Sequence, residues 1–171
     1  MSLVVEDGTA RADAESFCSV TAATAYHAAR GNAAWAALAS DAVREQMLRK
    51  ATDYMEQVYR SRWAGAKKTT AQALSWPRYY VPIKDAVMVQ YYDSSSVPAV
   101  VANACAELAL KAITATLAPD VGPQKRRVKV DVIETEYFES ATGYIRYRAI
   151  ENMLEPFLGS GSGMNMKVVR A

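Results

Sequence analysis

SDAVREQMLRKATDYMEQVYR, residues 40–60, is the stretch whose reading decides the fold. Val43, Met47, Leu48, Ala51, Tyr54, Met55 and Val58 recur at helical spacing on one face, while Arg44, Glu45, Arg49, Asp53 and Glu56 take the other. Glu45 with Arg49 and Glu56 with Arg60 are correctly ordered i,i+4 pairs. The pattern predicts a long amphipathic helix from Ser40 that must bury its apolar stripe against other elements.

Those elements are legible on both sides. Upstream, SVTAATAYHAARGN (19–32) reads as a short helix with Ser19 or Thr21 at its start and Gly31-Asn32 as its stop, and AAWAAL (33–38) adds one more turn. Downstream, Pro98 opens a helix in which Val100, Val101, Ala104, Cys105, Leu108, Ile113 and Leu117 cover most of the circumference. Its polar strip of Asn103, Glu107, Lys111 and Thr114 is narrow, so burial on most sides is expected, by its own domain or by a neighbouring subunit. Residues 119–123 end it. YIRYRAIENMLEPFLG (144–159) gives a further helix with Tyr147, Ile150, Leu154 and Phe157 inward, ended by Pro156 and Gly159. The fold class is therefore mainly α, a small bundle of about four helices.

Two segments do not fit helical periodicity. Residues 62–97 collect Gly65, Pro77, Pro82 and the run Ser94 to Ser96, yet also Trp63, Trp76, Tyr79, Tyr80, Tyr91 and Tyr92, too aromatic for a disordered linker; a long ordered loop is expected. KRRVKVDVIETEYFES (125–140) reads as an extended, β-like arm, with Val128, Val130 and Val132 alternating with Lys129 and Asp131. The alternation breaks at Ile133, which predicts a bulge or an arm leaving the body. Charge flips along it, from Lys125, Arg126 and Arg127 to Glu134, Glu136 and Glu139, pointing to pairing between copies. A flexible GSGSG (159–163) then leads to MNMKVVRA, where Met166, Val168 and Val169 could add a strand to a partner. The organisation expected is one domain over 1–158, with its arm at about 122–140, and a glycine-hinged tail over 159–171.

Composition bounds the function. The formal charge of the 171-residue chain is +2, so there is no global polyelectrolyte signal for nucleic acid. Cys18 and Cys105 lack CxxC spacing and read as buried thiols in a reducing compartment. No run reaches the roughly 18–20 apolar residues that span a bilayer, and the N-terminus lacks a leader pattern, so a soluble, cytoplasmically made protein with no membrane partner is expected. His27, the single histidine, lies on an alanine-rich helix with no nucleophile elbow near any serine, and reads as an ordinary helix histidine. Metal-ligand spacings and phosphate loops are missing, and Glu6-Asp7 reads as N-terminal surface. No catalytic residue, cofactor or metal site is assigned, and the expectation is a protein that is not an enzyme.

YRSRWAGAKKTTAQALSWPR (59–78) carries Arg60, Arg62, Lys67, Lys68 and Arg78 with no acid, interleaved with Tyr59, Trp63 and Trp76. Cations among aromatics can follow phosphates while bases stack on the rings. Tryptophan and arginine also dominate protein interfaces, and tryptophans anchor cores. Anchoring by Trp63, Trp76, Tyr79 and Tyr80 outweighs stacking here, because no RRM, OB or helix-turn-helix signature accompanies the stretch. The five cations remain candidates for touching DNA.

The chain resembles a phage and prophage family. VEDGT (5–9), SFCSVTAATAYHAARGNAAW (16–35), LRKATDYMEQVYRSRWAGAKKTTAQALSWPR (48–78), VPAVVANACAELAL (97–110), VKVDVIETEYF (128–138) and RAIENMLEPFLG (148–159) carry the likeness. The family is often labelled DnaT-like single-stranded DNA-binding, and its members look like head-to-tail adaptors of tailed bacteriophages. The resemblance implies a virion protein at the neck, made in the host bacterial cytoplasm, forming a ring of about twelve subunits on the portal protein and joining it to a stopper or tail completion protein. Passing double-stranded DNA would meet lumen cations non-specifically. Arg126, Arg127, Glu134 and Glu136 would then serve between subunits, and Met166, Val168 and Val169 would dock on a partner. Single-stranded DNA binding in phage DNA metabolism is the alternative.

Overall fold

The computed structural model describes residues 2–120, 127–130, 133–136 and 145–159. Five helices, α1 (Val20–Ala28), α2 (Ala33–Ala36), α3 (Asp41–Tyr59), α4 (Ala99–Lys111) and α5 (Arg148–Leu154), are joined by two small two-stranded sheets, and α5 runs into a 3-10 turn at Glu155–Phe157. The chain is a mostly helical bundle. Ser19 Oγ accepts from the Ala22 amide and Ser40 Oγ from the Val43 amide, so α1 and α3 each begin on a side-chain cap. On α3 the buried side chains are Met47, Leu48, Ala51, Thr52, Tyr54, Met55 and Tyr59. Val43 and Val58, at the edges of the stripe, are half-buried.

The nearly all-apolar α4 is buried by its own domain, packing on α3, α5 and α1. It stops at Lys111, short of the expected reach to Leu117, and residues 112–114 form a turn. There the Lys111 carbonyl accepts from the Thr114 and Ala115 amides, both at 3.2 Å, and from the Thr114 hydroxyl at 3.4 Å, so the last turn tightens as the helix ends. Pro98 is the N-cap of α4 and stands just outside its first turn. No described helix is long and apolar enough to cross a membrane.

The long loop after α3 is ordered, with β1 (Ala66–Lys67) antiparallel to β2 (Arg78–Tyr79). Gly65, at φ 68°, closes this hairpin: a Cβ there would run into the Tyr79 carbonyl. The charged arm is a hairpin too, in which β3 (Arg127–Val130) pairs with β4 (Ile133–Glu136). Its register sets Arg127 opposite Glu136 and Lys129 opposite Glu134, so the charge flip aligns basic and acidic positions within one chain. The broken alternation at Ile133 is where the chain has turned back on itself, with Val130 opposite Ile133. Arg126 and the tail residues Met166, Val168 and Val169 lie outside the described residues.

Glu6 is buried, contrary to the surface position expected for it. Its carboxylate accepts three backbone N–H bonds of 2.9 Å, from Gly8, Ala10 and Arg11, which ties the turn of VEDGTAR around one charge. Gly8, at φ 98°, then lies so close to the Ser95 carbonyl that any Cβ would collide with it, and its own carbonyl accepts from Lys68 Nζ at 3.1 Å. The N-terminal turn is thereby stitched to the basic stretch and to the approach of α4. Glu6→Ala removes the shared acceptor of three amides, one of them buried and two half-buried, and is expected to destabilise the fold by about 2 kcal/mol, read as a lower urea midpoint.

His27 bridges α1 and α4. It is buried, with Nε2 3.1 Å from the Ala106 carbonyl and Nδ1 3.0 Å from Asn32 Nδ2, an arrangement that suits the neutral ring donating at Nε2 and accepting at Nδ1. Burial lowers its pKa below the ordinary 6.5; the Ala106 carbonyl and Glu107 oppose that shift, and Arg30 adds to it. Between the lowered folded value and 6.5 the unfolded chain binds more protons, so stability rises with pH through this window. The contribution is present above 6.5 and is lost as pH falls through the folded value. Thermal unfolding should therefore show a loss of stability from pH 7 towards 5 that is flattened in His27→Gln.

Candidate functional site

The basic, aromatic stretch divides by direction. Its large rings point inward: Tyr59, Trp63 and Trp76 are buried, and Trp76 is wholly inaccessible. They form a run of edge and tilted contacts from Tyr54 through Tyr59, Trp63 and Trp76 to Phe157, with centroids 6.4, 6.0, 5.8 and 5.8 Å apart, and Tyr92 closes on Phe157 at 4.8 Å. This run joins the end of α3 to the 3-10 turn after α5. The bridge between Trp63 and Leu158 and the bond from the Gly159 amide to the Arg62 carbonyl, 2.8 Å, fix the same junction.

Arg78 departs most from its expected role as a DNA-facing cation. The side chain is buried, and its guanidinium donates to the carbonyls of Ala64 (2.7 Å), Gly65 (2.8 Å), Ser75 (3.2 Å) and Trp63 (3.5 Å). Burial pulls its pKa below the ordinary arginine value, with Glu56 opposing, and the planar fork is spent on holding the loop closed. Lys67 Nζ donates to the Gln72 carbonyl at 3.3 Å and Lys68 Nζ to that of Gly8 at 3.1 Å, and both lysines are half-buried. Only Arg60 and Arg62 of the five are exposed, and Arg62 lies over the Tyr59 ring, 5.3 Å from its centroid. Glu56, expected to pair with Arg60, instead accepts from the Ser75 amide at 2.7 Å and its hydroxyl at 2.8 Å, holding the segment before Trp76.

Tyr79 and Tyr80, expected as core or interface anchors, face solvent. They begin a second hairpin-like excursion in which the Tyr92 amide donates to Val81 and the Ile83 amide to Gln90, both at 2.9 Å, with Pro82 bridged to Tyr91. Val81 is its buried root. Beyond it Val87, Met88, Val89 and Tyr91 are exposed, and Tyr80 stands 6.0 Å from both Tyr79 and Tyr91. Tyr80 holds φ at 60°, a left-handed conformation uncommon for so bulky a side chain. Lys84 Nζ pins the excursion to Glu155, bonding its carbonyl and carboxylate at 2.8 Å each. Sequence reasoning had the tyrosines but passed over AVMV (86–89), whose apolar run between turns was the available signal.

Catalytic chemistry finds little to work with among the described residues. An open groove of about 560 Å³ between α3 and residues 112–118 carries Lys50 and Asp53 as its charged residues, both exposed. No described group of histidine, cysteine and acidic side chains could hold a metal. Cys105 is enclosed with Thr52 Oγ1 at 3.4 Å and Ser16 Oγ at 3.9 Å, and Cys18 is buried with its thiol pushed up to about 12, so neither is poised as a nucleophile. The division of the cations predicts a sharp contrast on urea unfolding. Arg78→Ala should cost about 3 kcal/mol, whereas Arg60→Ala and Arg62→Ala should stay within about 0.5 kcal/mol of wild type.

No curated protein and no solved structure matches the chain. The family model described as "Putative DnaT-like ssDNA binding protein" matches residues 1–171, and the chain belongs to that family.

Proposed function

We infer that the protein is a non-enzymatic structural protein of a tailed phage or prophage virion, a head-to-tail adaptor that docks as a ring on the portal and connects it to the stopper or tail. The observation that carries this reading is the inversion of the aromatic surface. The tryptophans of the basic stretch are in the core and three of its cations bond their own backbone, whereas an apolar excursion at 79–91 stands in solvent. A surface of that chemistry suits protein contact, with aromatic and aliphatic anchors and little charge. The resemblance supplies the virion context, at the neck after synthesis in the host cytoplasm. Of the five cations of the basic stretch, Arg60 and Arg62 are the exposed pair, placed to meet passing double-stranded DNA without base readout.

Single-stranded DNA binding is the second reading, and the family description speaks for it. Tyr79, Tyr80 and Tyr91 would be its stacking surface, since Trp63 and Trp76 are enclosed. Imaging of portal complexes from assembled particles separates the two: the adaptor reading expects this chain as a ring on the portal, and its absence there overturns that reading. The second reading expects oligonucleotide anisotropy to show binding that weakens steeply with salt and is reduced at least tenfold in Tyr80→Ala with Tyr91→Ala. No binding at low salt removes it.

A further inference from the structure

Asp7-Gly8 is the one place in the chain where an aspartate or asparagine precedes a glycine. Such a pair is open to a reaction that needs no enzyme: the glycine nitrogen attacks the aspartate Cγ, the carboxyl hydroxyl leaves with the amide proton as water, and a succinimide ring forms. Water then reopens the ring. Opening at the backbone carbonyl leaves the chain running through the aspartate side chain as isoaspartate, with its composition unchanged. Glycine makes the pair vulnerable because no Cβ shields its nitrogen. Here the glycine cannot be exchanged, since Gly8 is buried at φ 98° with the Ser95 carbonyl where a Cβ would stand. Asp7 itself is exposed, so water reaches it.

We propose that Asp7-Gly8 is a latent isoaspartate site that Glu6 guards by holding the Gly8 amide, so that the bond becomes reactive only when the N-terminal turn opens. The Gly8 N–H donates to Glu6 Oε1 at 2.9 Å inside the fold, which ties the nitrogen that must attack to an acceptor. The negative charge beside it also opposes loss of the amide proton, the step that frees that nitrogen. Glu6 holds the Ala10 and Arg11 amides at 2.9 Å as well, and so restrains the backbone from rotating into the ring geometry. The electrophile is held too. Asp7 Oδ1 accepts from the Thr9 hydroxyl at 2.6 Å and the Thr9 amide at 3.0 Å, and these bonds keep its carboxyl below the usual range. The neutral carboxyl, whose hydroxyl can leave, is therefore scarce at neutral pH. Lys68 on the Gly8 carbonyl and the bridge between Val5 and Ser16 fasten the turn to the body. Isoaspartate would insert an extra backbone carbon between Glu6 and the amides it gathers, and would loosen that attachment. The inference holds whether the chain acts at the neck or on single-stranded DNA.

Ageing of the full chain at neutral pH in water labelled with heavy oxygen, followed by peptide mapping that separates aspartate from isoaspartate, reads the rate at Asp7. Folded wild type is expected to isomerise about tenfold or more slowly than the same chain unfolded in urea, and Glu6→Ala, shown by circular dichroism to be folded, is expected to recover most of that difference. Leu108→Ala truncates the core at the far end of α4, lowers global stability without touching the turn, and is expected to keep the wild-type rate. Folded wild type that isomerises as fast as the unfolded chain overturns the proposal, as does a folded Glu6→Ala at the wild-type rate. Leu108→Ala accelerated as much as Glu6→Ala also overturns it, since unfolding of the whole chain would then be the route. Hydrogen exchange at the Gly8 amide of wild type decides the matter without any variant: protection is expected, and exchange at the unfolded-chain rate contradicts the guard.

Discussion

The Arg78 guanidinium, withdrawn from water and shared among four backbone carbonyls, is the constraint on which the second half of the structure depends. A buried cation is tolerable only when its donors are satisfied, and here the loop carbonyls of residues 63–65 and 75 satisfy them. The loop must close to provide those acceptors. Closing it turns Trp63 inward onto Trp76 and Trp76 onto Phe157, which fixes α5 and its 3-10 turn against the end of α3. The N-terminus is drawn into the same arrangement, because Lys68, on the closed loop, donates to the turn that Glu6 organises.

One consequence is that the chemistry most suggestive of nucleic acid is spent on folding. A ring that stacks on a base must present a face, and a cation that grips phosphate must keep donors free; Trp63, Trp76 and Arg78 meet neither requirement. The exposed apolar surface lies a few residues further on, on an excursion anchored to this closed loop through β2. The rigid junction therefore serves the surface: a firmly held root lets an apolar tip project without collapsing onto its own core.

The helices were legible because their signals are periodic and local. The stripe on α3 and the serine caps need no knowledge of distant residues, whereas Ile113 and Leu117 keep an apolar pattern beyond Lys111, where α4 ends, so periodicity alone overruns that end. What escaped was set by contacts distant in sequence. A glutamate beside an aspartate near the N-terminus reads the same whether it faces water or accepts three amides, and an arginine after Trp-Pro gives no local sign that four carbonyls will enclose it. The broken alternation at Ile133 has a simpler cause than a bulge, since a chain that reverses must restart its pattern. Among the candidate site residues, the chemistry could be read at the right positions while its direction, inward or outward, could not.

Tryptophan fluorescence tests the central claim most directly, because all three tryptophans, Trp35, Trp63 and Trp76, are buried and no exposed indole clouds the signal. Acrylamide quenching of the folded protein, with and without saturating single-stranded oligonucleotide at low salt, is the measurement. The account predicts weak quenching that oligonucleotide leaves unchanged and that becomes strong only on unfolding. Ready quenching in the folded state, or indole emission that bound bases extinguish, would show the tryptophans to be a surface and would contradict it.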